Sequence, residues 1–149
     1  MAKIYLASSW RNEFQPEAVK LLREAGHEVY DFRNPPNDDK GFSWSDIDPN
    51  WKNWTAKEYQ AALQTDMASK GFNNDFDGMI WADTCVLLLP AGRSAHLEAG
   101  YMAGDGKTTI IWTRDGEEPE LMACLADYIC TSADEVLDDL RELDFDQAE

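Results

Sequence analysis

Apolar and polar positions switch between two periods along the first thirty residues. "KIYLA" (3–7) is a short apolar run and reads as a strand. "QPEAVKLLREAG" (15–26) then places Ala18, Leu21, Leu22 and Ala25 on one helical stripe. Pro16 suits the first turn of that helix and Gly26 its C-terminal stop. "HEVYDF" (27–32) returns to a strand. Strand, helix and strand joined by a short turn predict the opening unit of a parallel sheet.

The pattern breaks over residues 33–55, where Pro, Asn, Asp, Gly and Trp dominate without a period. A loop of that length in a small domain is functional or disordered. Trp44, Trp51 and Trp54 argue against disorder. The segment reads as a lid or a subunit contact. Phe42 and the three tryptophans suit stacking on a ligand and equally a dimer core, and the structural or oligomeric role is favoured. Periodicity resumes with helices over 55–64 and about 66–82, a buried strand at 84–90, a helix at 95–104 and a strand at 107–113. A helix over 118–128, a short strand at 128–131 and a closing helix over 132–143 complete the chain, the last with Ser132 as N-cap and Glu135 three residues on. The prediction is an α/β fold. It is a single-domain three-layer sandwich of about five parallel strands with helices on both faces, flavodoxin- or Rossmann-like, over residues 1–149. Such folds bind ligands at the carboxyl ends of the strands, near the switch point of the strand order.

The 149 residues suit one core, but a net charge of −16 is unusual. It repels phosphate backbones and argues against a nucleic-acid polymer as partner, while leaving room for a small anionic substrate in a locally positive pocket. Within the acidic helix and tail at 132–149, residues 134–149 hold eight acids against Arg141. They read as a solvated helix face and a frayed tail. Cys85, Cys124 and Cys130 have no CxxC spacing and read as buried free thiols of a reducing compartment. With two His and no paired Cys, no metal site is expected, and no cofactor is expected either. No run reaches the roughly 20 apolar residues of a membrane span. The expectation is a soluble cytoplasmic protein with no membrane partner.

The chemistry concentrates in "LLLPAGRSAHLEAGYMAG". An apolar strand ends at Pro90, and Ala91, Gly92, Arg93 and Ser94 form the loop into a helix whose unpaired N–H groups can receive an anion. Gly92 allows close backbone approach, Ser94 caps the helix or bonds a ligand oxygen, and Arg93 suits a phosphate or carboxylate. Glu98, four residues after Ser94, shares its face, and the positive helix end should keep it ionised. Ala95, Ala99 and Gly100 leave space around it, which suits a carboxylate nucleophile attacking a sugar carbon. The competing reading is a capping acid, although that motif wants a spacing of three. His96 points away from Glu98 and reads as a packing or surface residue.

A second acid lies in "GFNNDFDGMIWAD", where Asp75 falls on the apolar stripe of Phe72, Phe76, Met79 and Ile80. An acid there is costly unless used. About 12 Å of helix from Asp75 to Asp83, and roughly 17 Å of strand back, bring Asp75 to the level of Glu98. Two carboxyls facing one pocket are the equipment for cleaving a glycosidic bond. Tyr5 on the first strand either bonds the nucleophile or is a core aromatic. Ser8 and Ser9, in the loop after it, are candidate ligand donors.

Taken in order, "KIYLASSW", an Asp eight residues before the Asp of "ADTCVLLL", and "GRSAHLEAGYMAG" resemble the nucleoside 2-deoxyribosyltransferase family, which includes 2′-deoxynucleoside 5′-phosphate N-hydrolases. The resemblance runs from residue 3 to about 113. It implies Glu98 as nucleophile forming a glycosyl-enzyme intermediate, Tyr5 orienting it, and Asp75 contacting the base and helping to protonate the leaving nitrogen. It implies Gly92, Arg93 and Ser94 in a 5′-phosphate loop, Ser8 and Ser9 lining the pocket, and a homodimer or larger homo-oligomer. The chain departs from the family in the length of its 33–55 insertion and in "GRSAH" before Glu98. The leading expectation is cleavage or transfer at the N-glycosidic bond of a nucleoside or nucleoside 5′-monophosphate. The alternative is a non-catalytic nucleotide-binding sensor or sequestering protein using the same pocket. An interaction protein working through its acidic face is a third reading.

Overall fold

The computed structural model describes residues 1–36 and 40–148, and of residues 144–148 the backbone alone. Five strands, β1 (Lys3–Ala7), β2 (Glu28–Tyr30), β3 (Thr84–Leu88), β4 (Thr108–Trp112) and β5 (Tyr128–Cys130), form one all-parallel sheet in the order β2-β1-β3-β4-β5. The helices are α1 (Gln15–Glu24), α2 (Trp44–Ile47), α3 (Ala56–Ala62), α4 (Asp66–Trp81), α5 (Arg93–Gly104) and α6 (Ala133–Ala148). This is the three-layer α/β sandwich that the alternation of periods predicts.

A parallel sheet covered on both faces needs strands that are apolar throughout. The central strand β3, "TCVLL", is buried at all five positions. Successive side chains point to opposite faces. Ile4, Leu6, Val86, Leu88 and Ile110 therefore pack on one side against Ala18, Val19 and Leu22 of α1 and Val136 and Leu140 of α6. Tyr5, Ala7, Cys85, Leu87 and Ile111 point to the other side and meet Met79 of α4 and Ala95, Ala99 and Met102 of α5. The strand order reverses between β1 and β3, so the α4–α5 side of the sheet near these carboxyl ends is the switch point.

Gly26, at φ 97°, follows the C-cap Ala25 and turns the chain into β2, as its place after the α1 stripe predicts. The Ser132 hydroxyl accepts from the Glu135 N–H, while the Glu135 carboxylate accepts from the Thr131 N–H one residue before the expected cap.

Two elements differ from expectation. Residues 118–128 are not an α-helix and hold only a 3-10 turn at Leu121–Leu125. Pro119 disfavours helix at Glu118, and Leu121, Met122 and Leu125 are exposed with no layer to pack against. Helices draw most of their stability from such packing. The helix after β3 begins at Arg93 with Gly92 as its N-cap, so Arg93 and Ser94 belong to its first turn and Ser94 is not the cap. Residues 37–39 of the insertion, and the side chains of the acidic run beyond residue 143, lie outside the described residues. Among the described residues no helix is long and apolar enough to cross a membrane.

Candidate active site

The site is built on two stacked tyrosines. Tyr5 and Tyr30 are partners in the β1–β2 register, and their rings lie 5.2 Å apart at an interplanar angle of 8°. Tyr5 is 1% exposed. Each hydroxyl donates to one carboxyl: Tyr5 to Oε2 of Glu98, and Tyr30 to Oδ1 of Asp75 at 2.9 Å. Neighbouring strands thus hold one acid from α5 and one from α4. A phenol donates only while protonated, and burial raises both phenols, reinforced at Tyr5 by the charge of Glu98 and at Tyr30 by that of Asp75.

Burial also governs the acids. It pushes the Glu98 carboxyl up to about 7, the charge of Asp75 adding to the rise and the Tyr5 hydrogen bond opposing it. The positive end of α5 was expected to keep Glu98 ionised. Glu98 stands in the second turn, beyond the reach of the first-turn dipole, and desolvation prevails. Burial raises Asp75 as well, against the Tyr30 hydrogen bond. The two carboxyls therefore act on each other through charge, an ionised Asp75 opposing ionisation of Glu98. Cys85, beside Tyr5 on β3, is pushed up by burial to about 12 and stays a neutral thiol; Cys130 is buried as expected, but Cys124 is exposed, because it lies in the 3-10 turn that no layer covers.

Of the residues singled out in the sequence, Tyr5, Asp75 and Glu98 come together. Ser8 does not present a free donor, because its hydroxyl donates to the Leu88 carbonyl at 2.9 Å and accepts from Asn12 Nδ2 at 2.9 Å. The Ser9 hydroxyl accepts from the Arg11 N–H at 3.1 Å. Gly92, Arg93 and Ser94 are exposed at the start of α5. Gly92 and Arg93 line an open apolar groove of about 1010 Å³ shared with His96, Leu97, Met122 and Ile129. His96 is exposed and its ring Nδ1 lies 2.8 Å from the Gly92 carbonyl.

A smaller cavity of about 340 Å³ reaches Asp75 between α4 and the insertion, lined among others by Phe42, Asp46, Met67 and Lys70. Phe42 is seated on Gly71, where an added Cβ would meet its ring at 2.9 Å. Trp44 packs edge-on against Phe42, Trp54 and Tyr59, at 4.7, 5.7 and 5.9 Å between centroids. The insertion therefore carries its own aromatic cluster and turns Phe42 towards the cavity.

Three residues escaped the sequence reading. Tyr30 sits in an ordinary strand pattern, and nothing local separates it from a core aromatic. Gly78 interrupts an apolar helix, which is a signal of close approach. A Cβ there would lie 2.8 Å from the Tyr30 ring. Asn12 is 1% exposed and braces the loop after β1. Among the described residues no three His, Cys, Asp or Glu side chains cluster so as to hold a metal ion.

The fold and site define a doubly wound α/β protein with a tyrosine-held carboxyl pair at its switch point. No family model and no curated protein matches the sequence. Solved structures do share its fold. A 2-deoxyribosyltransferase from Bacillus psychrosaccharolyticus superposes with a TM-score of 0.65 at 22% identity, over 90% of this chain and 89% of that one. A CMP N-glycosidase from Clostridium botulinum gives 0.53 at 16% identity, over 93% and 97%. A conserved protein from Enterococcus faecalis gives 0.61 at 13%, over 95% and 98%. The fold implied by the resemblance to nucleoside 2-deoxyribosyltransferases is the fold observed.

Proposed function

We propose that this chain is an enzyme that cleaves or transfers the N-glycosidic bond of a nucleoside or nucleoside 5′-monophosphate. The observation that carries this reading is the carboxyl pair, each member held by a tyrosine of an adjacent strand. The productive form has Glu98 ionised and Asp75 protonated. Glu98 attacks the anomeric carbon as the bond to the base breaks, and the departing nitrogen takes the proton of Asp75. The Asp75 carboxylate then removes a proton from water or from an incoming base, which displaces Glu98 from the sugar. Water gives hydrolysis and a base gives transfer. The start of α5 at Gly92, Arg93 and Ser94 suits the anionic end of a phosphorylated substrate.

Chromatography of free base tests this directly, with ribo- and deoxyribonucleosides and their 5′-monophosphates incubated with and without an acceptor base. The expected result is base release from at least one member of the panel. Monophosphate preference would support the role of the α5 start, and new nucleoside with acceptor would mark a transferase. Tight binding of intact ligand without release would instead establish the sensor reading.

The assembly we propose is a homodimer or larger. Its support is the apolar flank of α5 and the neighbouring turn, where Leu97, Leu121 and Met122 are exposed. Sedimentation equilibrium is expected to give at least twice the chain mass of 16.9 kDa, and Leu97→Asp to lower it.

A further inference from the structure

We propose that Tyr30 is a positioning residue: its hydroxyl holds the Asp75 carboxyl, and through the charge of Asp75 it acts on Glu98. The role rests on the carboxyl-pair reading of the site above, and it adds a residue that the reading does not use.

Geometry isolates Tyr30 for this task. Its hydroxyl donates to Asp75 Oδ1 at 2.9 Å. Its ring lies flat on Tyr5, 5.2 Å away. The backbone of α4 comes so close at Gly78 that any Cβ there would strike the ring at 2.8 Å. Asp75 stands one turn before Gly78 on the same side of α4. Stacking and close approach thus fix the hydroxyl against one carboxyl.

The electrostatic consequence has opposite signs at the two tyrosines. The Tyr30 hydrogen bond favours the charged form of Asp75, and a charged Asp75 opposes ionisation of Glu98. Removing the Tyr30 hydroxyl leaves the proton longer on Asp75, relieves Glu98 of a neighbouring charge and lets Glu98 ionise at lower pH. Removing the Tyr5 hydroxyl takes away a bond that favours charged Glu98, so Glu98 ionises at higher pH. The other ionisable groups nearby are Cys85 on β3, Asp31 after β2 (bound to Gln15 Nε2 at 2.8 Å), and Asp46 and Lys70 around the cavity at Asp75. All are common to both variants, so the comparison reads the hydroxyls alone.

The test is a site-resolved carbon-13 NMR titration of the Asp75 and Glu98 carboxyls in the full chain and in Tyr30→Phe and Tyr5→Phe. Phe keeps each ring in the stack. Site resolution matters because pH–rate profiles report constants of the pair. The Glu98 midpoint is expected to fall by at least about half a pH unit in Tyr30→Phe, with that of Asp75 rising, and to rise in Tyr5→Phe. Asp75→Asn must move Glu98 in the same direction as Tyr30→Phe. A Glu98 midpoint unchanged or raised in Tyr30→Phe would overturn the proposal. The titration needs no turnover, so it stands apart from the base-release assay. Release without the shifts would sink the role of Tyr30 alone, and shifts without release would sink the glycosidic reading alone.

Discussion

Glu98→Gln is expected to lose base release by at least about 10³-fold and, at the same time, to make the protein more stable at pH 8. The loss follows from removing the attacking carboxylate while keeping its shape and its place beside Tyr5. The gain follows from burial. The Glu98 carboxyl, ordinarily near 4.5, is raised to about 7 in the folded protein, chiefly by desolvation. A raised carboxyl favours the folded state while it is protonated. That contribution is whole below the unfolded value, and it is lost as pH rises towards the folded value. Above about 7 the folded chain carries a buried charge that the unfolded chain solvates freely. A tenfold change in an ionisation constant is worth about 1.4 kcal/mol, so at pH 8 the amide variant should gain on the order of 3 kcal/mol. At pH 5 the gain should shrink below about 1 kcal/mol. Thermal or denaturant unfolding at both pH values, beside the base-release assay, checks the two halves separately. Equal stability of the two proteins at pH 8 would mean that Glu98 is solvated in the folded protein.

Asn12→Ala is expected to destabilise the fold by about 3 kcal/mol. Asn12 Nδ2 donates to Ser8 Oγ at 2.9 Å, to the Leu88 carbonyl at 3.3 Å and to the Pro90 carbonyl at 3.1 Å, and its Oδ1 accepts from the Phe14 N–H at 2.8 Å. One buried amide thereby ties the loop after β1 to the end of β3. Arg33 reinforces the same loop by donating to the carbonyls of Ser9, Trp10 and Asn12. Truncation at Asn12 removes these hydrogen bonds, worth roughly 0.5–1.5 kcal/mol each, while the Leu88 carbonyl keeps the Ser8 hydroxyl. The corresponding fall in Tm is roughly 6–12 °C for a chain of this size. Base release should fall too at temperatures where the variant is folded, because the loop flanks β1 and its Tyr5. A change in stability below about 1 kcal/mol would show that water enters and satisfies the stranded groups.

Much of this molecule was legible in its sequence, and for one reason. Period two and period 3.6, the rise per residue of each element, and the punctuation of Gly26 and Ser132 are local properties. They sufficed for five strands, for the α/β layering, and for the length argument that brings Asp75 level with Glu98. Where the local signal was equally strong but no layer waited to receive it, at residues 118–128, the predicted helix did not form. The pairings that make the site are of another kind. Tyr5 meets Glu98 across 93 positions, and Tyr30 meets Asp75 across 45. Tyr30 and Gly78 matter only because β1 and β2 lie side by side in one particular register with α4 against them. Ser8 is drawn into the fold by Asn12 and Leu88. The protonation of Glu98 is the sharpest case. Read locally, the N-terminus of α5 should favour the charge, but Glu98 stands one turn too far along the helix. The sheet, the second helix and a second carboxyl disfavour it, and those are supplied only by the folded chain. A helix dipole acts over a turn, whereas desolvation sums over everything that packs around a group. That sum was decided by the tertiary structure.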